Sequence, residues 1–383
     1  MKRNCPVCGY KDSKTLHHVQ FNVQENFLLG NEHFIQQCSL CSMIFSDSNR
    51  TQKDYSSYYG ELSKYIKSSN YSDLHSNRFN NSFSFIQEYL AKDTNFCDVG
   101  CGGGGFLKYL HTKEFQKLTG IDSSNLKKNG YFTFHRTDLM DLKQVNLNEF
   151  NFISCIGVLE HLFDLKEFMK NFSTGINTGT YLYIEVPSAE HYHENVTSPF
   201  QDFNLEHINH FSILTLMNFL RLNFFKPLKH TIHYQKESAN YKMPVIGVVA
   251  KKITSSENIQ IEFDHAFSTN IEKYIKKSEQ ILIKINDHLK DKLYDKSEIY
   301  IWGAGQLALK ISKLPALLEK EILAYIDNNS SFKNIKGVPI IKPNKHLRGD
   351  ICVVLGSILH EKSIRDQIKE LSLANNIISL SKE

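Results

Sequence analysis

The stretch from Asp98 to Gly105, Asp-Val-Gly-Cys-Gly-Gly-Gly-Gly, constrains the fold of this chain more than any other part of its sequence. It follows a short apolar run and precedes the helix-like run 106–110. Because glycine has no Cβ atom, the backbone can approach a ligand closely and adopt positive φ there. The N–H groups that begin the next helix can bind a carboxylate or a phosphate. The order of strand, glycine-rich turn and helix predicts a nucleotide-binding turn in an α/β fold.

Length and composition limit the remaining possibilities. A chain of 383 residues has room for two or three domains, and 41% hydrophobic with 22% charged residues is ordinary for a soluble globular protein. A net charge of only +4 does not indicate a nucleic-acid partner. The sequence has no apolar run that could span a bilayer, and its first residues lack the apolar core of a secretion signal. We therefore expect a cytoplasmic protein without a membrane partner.

Four of the eight cysteines form two Cys-x-x-Cys pairs, Cys5 with Cys8 and Cys38 with Cys41. Each pair can turn both sulfur atoms toward one point, and two pairs supply the four thiolates of a tetrahedral zinc site. In a reducing compartment this pattern favours a metal over disulfide bonds. So small a unit cannot bury a sufficient core of its own. We therefore predict that residues 1–50 form a domain held together by structural Zn²⁺.

The middle of the chain alternates between strand-like and helix-like segments. Alternation of this kind predicts a doubly wound parallel sheet within one domain, residues 51–255. The predicted strands are 95–99, 117–121, 131–135, 150–156, 180–186, 226–233 and 245–251, and the last two could pair antiparallel at the sheet edge. The predicted helices are 74–90, 105–111, 163–172 and 213–222. Residues 51–72 are interpreted as a linker whose tyrosines could either line the entrance to the ligand site or pack on the surface, namely Tyr55, Tyr58, Tyr59 and Tyr71.

A second glycine-rich turn follows a predicted long helix, 263–293. Gly303-Ala-Gly305-Gln-Leu-Ala comes directly after the predicted strand 299–302, and another predicted strand ends at Asp327. The spacing G-x-G-x-x-A is that of a dinucleotide-binding turn. The unit is too short for a full dehydrogenase domain and has only one mononucleotide-binding half. Binding of a substrate's nucleotide, a purely structural role and binding of NAD all remain open.

The spacing D-x-G-x-G-x-G, carried by Asp98, Gly100, Gly102 and Gly104, resembles motif I of class I S-adenosylmethionine-dependent methyltransferases. Further residues follow at the distances typical of that family, namely Asp122, Asp138, and the run Val158-Leu-Glu160-His-Leu. The resemblance implies that the glycines hold the methionine and ribose parts of the cofactor. It also implies that Asp122 binds the ribose, that Asp138 lies against the adenine, and that the Val158–Glu160 run borders the methionine end. Each carboxylate alone would be an ordinary loop or capping residue.

The whole arrangement resembles the three-domain sugar C-methyltransferases, which have a zinc-binding start, a methyltransferase core and a Rossmann-like end domain, and act on nucleotide-linked keto-deoxysugars. That family carries a Tyr-His-Glu-His run followed by an aromatic residue and Ser. Glu206 and His207 match its last two positions, whereas Asn204 and Leu205 replace the Tyr and the first His. The resemblance implies that His207 is the general base and that Glu206 orients it or contacts the substrate. His210 and His193 are reserve candidates.

The same resemblance assigns the end unit, residues 256–383, to the nucleotide of the substrate. Its candidate binding residues are Gly303, Gly305, Asp327 and Lys333. We therefore expect an α/β methyltransferase that acts on a nucleotide-activated sugar, by C- or O-methylation, for a surface glycan or glycoconjugate. Loss of the family's tyrosine leaves O- or N-methylation of a non-sugar acceptor open. A non-catalytic nucleotide-binding module and an NAD-dependent oxidoreductase are the alternatives from other classes. The sequence leaves the oligomeric state open.

Overall fold

The computed structural model describes residues 3–24, 26–61, 73–126, 130–236, 238, 241–254, 259–330 and 333–380. Three sheets organise this part of the chain, and helices pack against them. The helices are α1 (Gln52–Glu61), α2 (Asp73–Ile86), α3 (Gly105–Thr112), α4 (Leu165–Thr174), α5 (Ile213–Leu222), α6 (His265–Lys292), α7 (Gln306–Ile311), α8 (Pro315–Leu318) and α9 (Glu361–Glu370). Within the described ranges, none of them has the length and the apolar character that a bilayer crossing requires.

The central sheet has seven strands and confirms the predicted α/β core. Its strands are β4 (Phe96–Val99), β5 (Leu118–Asp122), β6 (Thr133–Arg136), β7 (Phe152–Ile156), β8 (Tyr181–Pro187), β10 (Phe225–Lys236) and β11 (Lys242–Lys252). Their order across the sheet is β10-β11-β8-β7-β4-β5-β6. The five strands from β8 to β6 are parallel, while β10 and β11 form an antiparallel hairpin beside β8. Strands β5 and β6 lie on one side of β4, and β7 and β8 lie on the other. Because the strand order reverses at β4, a ligand crevice is expected at its carboxyl end.

The N-terminal sheet is antiparallel and includes part of the segment between β8 and α5, which carries Glu206 and His207 and is called the catalytic loop below. Its strands are β1 (Ser13–Gln20), β2 (Glu32–Cys38), β3 (Ile44–Asp47) and β9 (Asn209–His210), in that order. The short strand β9 comes from the chain between β8 and α5, and it pairs with β3. The position of that loop therefore depends on the N-terminal unit.

The C-terminal sheet is parallel apart from one short edge strand. Its strands are β12 (Glu298–Trp302), β13 (Glu321–Ile326), β14 (Asn334–Ile335), β15 (Val338–Ile341), β16 (Cys352–Leu355) and β17 (Ile377–Ile378), in the order β14-β15-β13-β12-β16-β17. One hydrophobic cluster joins it to α6 and to the N-terminal sheet, with Phe21, Ile35, Phe267, Leu289 and Ile301 among its members. The N–H of Asn22 also donates to the Leu309 carbonyl at 2.9 Å. The N-terminal and C-terminal units thus share a core, and the predicted boundaries at 50 and 255 stay predictions.

The segment interpreted as a linker contains the helix α1 instead. Tyr55 on this helix is fully buried, stacks on Phe163 with ring centroids 5.5 Å apart, and its hydroxyl lies 3.1 Å from that of Ser48. Core packing therefore replaces the predicted role of Tyr55 at the entrance of the site. Tyr71 lies outside the described residues.

Candidate functional site

The carboxyl ends of β4, β5, β7, β12 and β13 open into one cleft of about 1410 Å³. Its walls come from the central sheet, from the loop between β8 and α5, and from the C-terminal sheet. Pockets for one drug-sized ligand have volumes of about 300–1,000 Å³. The cleft therefore has room for two ligands side by side.

The first glycine-rich turn faces this cleft with bare backbone. Gly102 has φ +52°, and a Cβ atom built on it would have no heavy atom within 4 Å. Its N–H donates to Asp122 Oδ2 at 2.9 Å, and Asp122 Oδ1 accepts from the N–H of Ser124 at 2.8 Å. Gly100 and Asp122 border the cleft, whereas Gly104 packs against the ring of Phe132. The turn is therefore open on its ligand side and held by the carboxylate predicted for the cofactor's ribose.

The other residues predicted for the cofactor also line the cleft. Asp98 accepts a hydrogen bond from the Ser154 hydroxyl at 2.6 Å, and burial raises the pKa of this carboxyl to about 7. Asp138 lies at the rim and accepts from the N–H of Met140 at 2.9 Å. Val158 contacts the turn, since a Cβ atom on Gly100 would lie 2.4 Å from Val158 Cγ2. Burial raises the pKa of Glu160 to about 8.

Asn204 of the predicted catalytic loop lines the cleft together with the two predicted catalytic residues, Glu206 and His207. The side chain of Asn204 fixes their backbone, because its Oδ1 accepts from the N–H of Glu206 at 2.9 Å and of His207 at 2.8 Å. The hydroxyl of Tyr58 donates to Glu206 Oε1 at 2.9 Å. The ring of His207 lies edge-on to that of His161, with centroids 4.8 Å apart. Asn204, at the position of the resembled family's tyrosine, therefore shapes the loop.

The two reserve histidines lie elsewhere. His210 is fully buried, with its ring 4.9 Å from that of Phe203, and it is not among the cleft-lining residues. Burial lowers the pKa of His210 to about 3, so the ring is neutral in the folded protein. His193 is also away from the cleft, and its Nδ1 lies 3.1 Å from the Glu190 carbonyl. The structure brings neither side chain to the reacting position.

The second glycine-rich turn repeats the geometry of the first and lines the same cleft. Gly303 has φ +106°, and the N–H of Ala304 donates to Asp327 Oδ2 at 2.8 Å. Asp327 Oδ1 accepts from the N–H groups of Asn329 and Ser330. Gly303, Gly305 and Asp327, three of the residues predicted to bind the substrate, line the cleft. Lys333 does not, because it lies at the start of the β14–β15 edge and its side chain is exposed.

Sequence reasoning missed a buried charged pair in the cleft wall. Lys310 on α7 and Asp202 on the catalytic loop are both more than nine-tenths buried and line the cleft. The Lys310 ammonium donates to the Phe200 carbonyl, and burial lowers its pKa to about 7. Asp202 accepts from the hydroxyls of Tyr274 at 3.2 Å and Tyr241 at 3.4 Å. The only signal in the sequence was a lysine inside the apolar run of α7.

A second charged pair links α2 to the sheet. The buried carboxylate of Glu185 lies 3.3 Å from the guanidinium of Arg78, and it accepts from the hydroxyls of Ser82 and Tyr183, each at 2.7 Å. Gln235 donates to its other oxygen at 2.6 Å. Arg78 and Gln235 border the cleft, so this network fixes the wall on which they lie.

The four cysteines of the N-terminal unit converge as predicted. Their sulfur atoms all lie within 4.8 Å of one another, with Cys5 and Cys41 at 3.5 Å and Cys8 and Cys38 at 3.5 Å. All four are free thiols. Zn–S bonds of about 2.3 Å place tetrahedral sulfur ligands about 3.8 Å apart, which is close to the spacing found here. The donor set and its shape therefore fit Zn²⁺.

Arg3 ties the cysteine unit to the catalytic loop. Its buried guanidinium donates to the carbonyls of Ser46 at 3.2 Å and Ile208 at 3.3 Å, and to Asn209 Oδ1 at 2.9 Å. It also donates to the carbonyls of Leu162 and Phe163, which follow the turn after β7. One side chain thus crosslinks the N-terminal sheet with the catalytic loop and with the segment after β7.

The central part of the chain is similar to known proteins. Residues 74–228 match the sequence family described as a methyltransferase domain. Three solved structures are similar to the chain. A methyltransferase dependent on S-adenosylmethionine from Methanosarcina mazei has 19% identity over 44% of this chain and 97% of its own, with a TM-score of 0.36. The N1-methyltransferase of 1,6-didemethyltoxoflavin from Burkholderia thailandensis, with bound S-adenosylhomocysteine, has 12% identity over 58% and 96%, with a TM-score of 0.41. Magnesium protoporphyrin IX methyltransferase from Synechocystis has 12% identity over 53% and 100%, with a TM-score of 0.39.

No curated protein sequence matches the chain. The family match covers the strands β4–β8, the first glycine-rich turn, α5 and the catalytic loop. It confirms the prediction of a methyltransferase domain in the middle of the chain.

Proposed function

We propose that this S-adenosylmethionine-dependent methyltransferase methylates a nucleotide-linked sugar, at oxygen or carbon, during synthesis of a surface glycan or another glycoconjugate. One observation carries the proposal. Two glycine-rich turns, each closed by an aspartate at the end of the adjacent strand, open into the same cleft. The first turn lies in the methyltransferase domain and would hold the cofactor. The second would hold the nucleotide of the acceptor.

The residues of the first turn suit the cofactor. Bound S-adenosylmethionine supplies a methyl group that is already activated by its sulfonium centre. Gly102 leaves space for the ligand, and Asp122 offers carboxylate oxygens to ribose hydroxyls. Asp98 would face the cationic methionine part, whose positive charge favours the ionised carboxylate. The protein then has to orient the acceptor and remove its proton.

His207 is the residue that we assign to proton removal. It lines the cleft on a loop fixed by Asn204, while Glu206 beside it is held by Tyr58. A neutral imidazole can accept a proton from an acceptor hydroxyl, or from a carbon next to a carbonyl, near neutral pH. Glu206 would then contact the acceptor or steady the loop.

Replacing His207 by glutamine is expected to lower the rate of methyl transfer by about 10²-fold or more, because a positioned general base contributes about 10²–10⁴-fold. Binding of S-adenosylhomocysteine should remain unchanged, since no cofactor contact is assigned to this side chain. Single-turnover transfer from labelled cofactor measures the first quantity, and calorimetry measures the second. The matched control is His193→Gln, which changes a histidine away from the cleft. Full activity in His207→Gln would remove the base role.

Lys310 supports an anionic acceptor. Its ammonium is buried in the cleft wall with Asp202 as the neighbouring carboxylate, and the diphosphate of a nucleotide sugar would add a second negative charge that stabilises it. Lys310 lies on α7, which directly follows the second glycine-rich turn. A diphosphate held at that turn would therefore be expected near this ammonium.

The pKa of Lys310 leads to a pH prediction. Burial lowers it to about 7, so the free protein loses the ammonium as the pH rises through 7. The affinity for UDP-glucose, whose diphosphate keeps its charge, is therefore expected to fall as the pH rises above about 7, by up to tenfold per pH unit. In Lys310→Met the affinity should be lower at neutral pH and nearly independent of pH. Calorimetric titration measures both, with Lys313→Met as the control from the next turn of the chain. An identical pH slope in Lys310→Met and the parent would contradict the assignment.

Transfer of a labelled methyl group to a panel of acceptors tests the function itself. The panel pairs each nucleotide sugar with its free sugar and includes small-molecule phenols and amines. We expect label in a nucleotide sugar and none in the matching free sugar, because the second turn would bind the nucleotide. Product analysis then separates C- from O-methylation. Label in a non-sugar acceptor alone would favour the second function considered, O- or N-methylation of another small molecule.

We also propose that the four cysteines hold structural Zn²⁺. The support is their convergence at tetrahedral spacing and the absence of any disulfide among the eight cysteines. Four thiolates leave no open position on the ion, so its role is to hold the N-terminal unit together.

A further inference from the structure

We propose that Glu160, His161 and His207 form a binding site for a divalent transition-metal ion in the cleft, separate from the four cysteines. Their candidate ligand atoms all lie within 4.8 Å of one another. All three residues line the cleft, two from the turn after β7 and one from the catalytic loop. Two histidines and one carboxylate are a donor set that binds first-row divalent metals and leaves positions open for other ligands.

The hydrogen bonds of His161 prepare it as a ligand. Its Nδ1 lies 3.1 Å from the Glu206 carbonyl and 2.8 Å from the Tyr59 hydroxyl. Because a carbonyl oxygen can only accept, we assign the proton to Nδ1. The lone pair of Nε2 then points to the side of Glu160, whose Oε1 is 3.9 Å away. Metal-bound histidines commonly donate their second ring N–H to a backbone carbonyl in this way.

Glu160 supplies an independent observation. Its side chain is buried, and within the described part of the chain its Oε2 has no hydrogen-bond partner. The guanidinium of Arg78 pairs with Glu185 and also acts electrostatically on the Glu160 carboxyl group. A cation bound beside His161 Nε2 would give this buried carboxyl oxygen the partner that it lacks. Metal–ligand bonds of about 2.0–2.2 Å place neighbouring ligand atoms about 3–3.5 Å apart, which rotation of these side chains can reach.

The chemical role of the ion rests on the proposed function. A hydroxyl of the acceptor would bind the ion, which lowers the pKa of that hydroxyl so that its proton leaves to water. The resulting oxygen forms a bond to the methyl carbon as the carbon–sulfur bond breaks, and the sulfur keeps the electron pair. With the ion bound, His207 acts as a ligand. His207 variants are therefore expected to lose activity whether His207 is a general base or a metal ligand. A measurement of metal binding distinguishes these two roles.

Cobalt titration tests the site without any acceptor or turnover. The zinc-loaded chain is titrated with Co²⁺ while zinc content is measured, so that the cysteine site stays filled. We expect one Co²⁺ per chain, with d–d absorption of a nitrogen–oxygen site and no thiolate charge-transfer band. Glu160→Gln and His207→Ala should each weaken this binding by about tenfold or more, since even changes beyond the ligands cost about 10–100-fold. His230→Ala removes an exposed histidine and is the matched control.

The outcomes are distinct. No Co²⁺ bound beyond the cysteine site at millimolar concentration, or equal binding by the parent and both variants, would overturn the site. Retained zinc and an unchanged circular dichroism spectrum show that each variant is folded. The proposed function fails separately, if cobalt binds as expected but no nucleotide sugar accepts a methyl group.

Discussion

Replacement of Gly102 by leucine is expected to lower the affinity for S-adenosylhomocysteine by about a hundredfold or more. The new side chain would project into the cleft, because no heavy atom lies within 4 Å of the position of its Cβ atom. If the side chain prevents only two charge-assisted hydrogen bonds to the ligand, at about 1.5 kcal/mol each, the binding free energy falls by about 3 kcal/mol. The backbone at φ +52° adds only about 1–2 kcal/mol of strain to the folded state. Calorimetric titration measures the affinity.

Gly179→Leu is the matched control for this prediction. Gly179 also has positive φ, +96°, and open space around the position of a Cβ atom, yet it does not border the cleft. Both variants should lose similar stability, while only Gly102→Leu should lose cofactor affinity. Equal affinities of the two variants would show that the cofactor does not lie against the first turn.

Removal of the proposed zinc ion is expected to abolish methyl transfer, because the catalytic loop would lose the sheet that supports it. Zinc contributes about 10–16 kcal/mol in small zinc domains, which is as large as the whole stability of a typical domain. The N-terminal sheet should therefore unfold in Cys41→Ser or after chelation. Strand β9 pairs with β3 of that sheet, and Arg3 binds the carbonyl of Ile208, so the loop with His207 would lose its support. The strands β4 and β5 should stay protected.

Amide hydrogen exchange and the transfer rate measure this effect together. We expect exchange protection to disappear over β1–β3 and over residues 204–212, with a matching loss of activity that zinc restores. Cys352→Ser is the control, because this buried cysteine belongs to the C-terminal sheet and not to the cluster. A zinc-free chain with full protection over 204–212 and full activity would contradict the role of the cluster.

Local sequence patterns predicted the first turn and its aspartate because both depend on short-range geometry. Gly102 and Asp122 are only 20 residues apart and follow two adjacent parallel strands, so their spacing nearly fixes their contact. The four cysteines were predictable for a similar reason, since each pair is a local turn. The parallel α/β character of the central sheet followed from the alternation of strands with helices.

Long-range packing decided what the sequence did not predict. Lys310 and Asp202 are 108 residues apart, and only the contact between the C-terminal unit and the catalytic loop brings both into the cleft wall. His210 is a reserve candidate by sequence, yet the pairing of its strand with Ile44 in the N-terminal sheet places its side chain in the core. The sequence of helix α1 resembles a linker because most of its residues are polar. The helix forms because it packs through the side that carries the buried Tyr55.

A crystal structure of the protein with S-adenosylhomocysteine and a nucleotide sugar tests the central claim most directly. We predict that the adenosine lies beside Asp122 and Asp138 and that the glycines of the first turn contact the cofactor. We predict the diphosphate of the nucleotide sugar at Gly303–Gly305, with its sugar between the cofactor sulfur and His207. A nucleotide sugar bound outside this cleft, or an adenosine seated at the second turn instead of the first, would contradict the account.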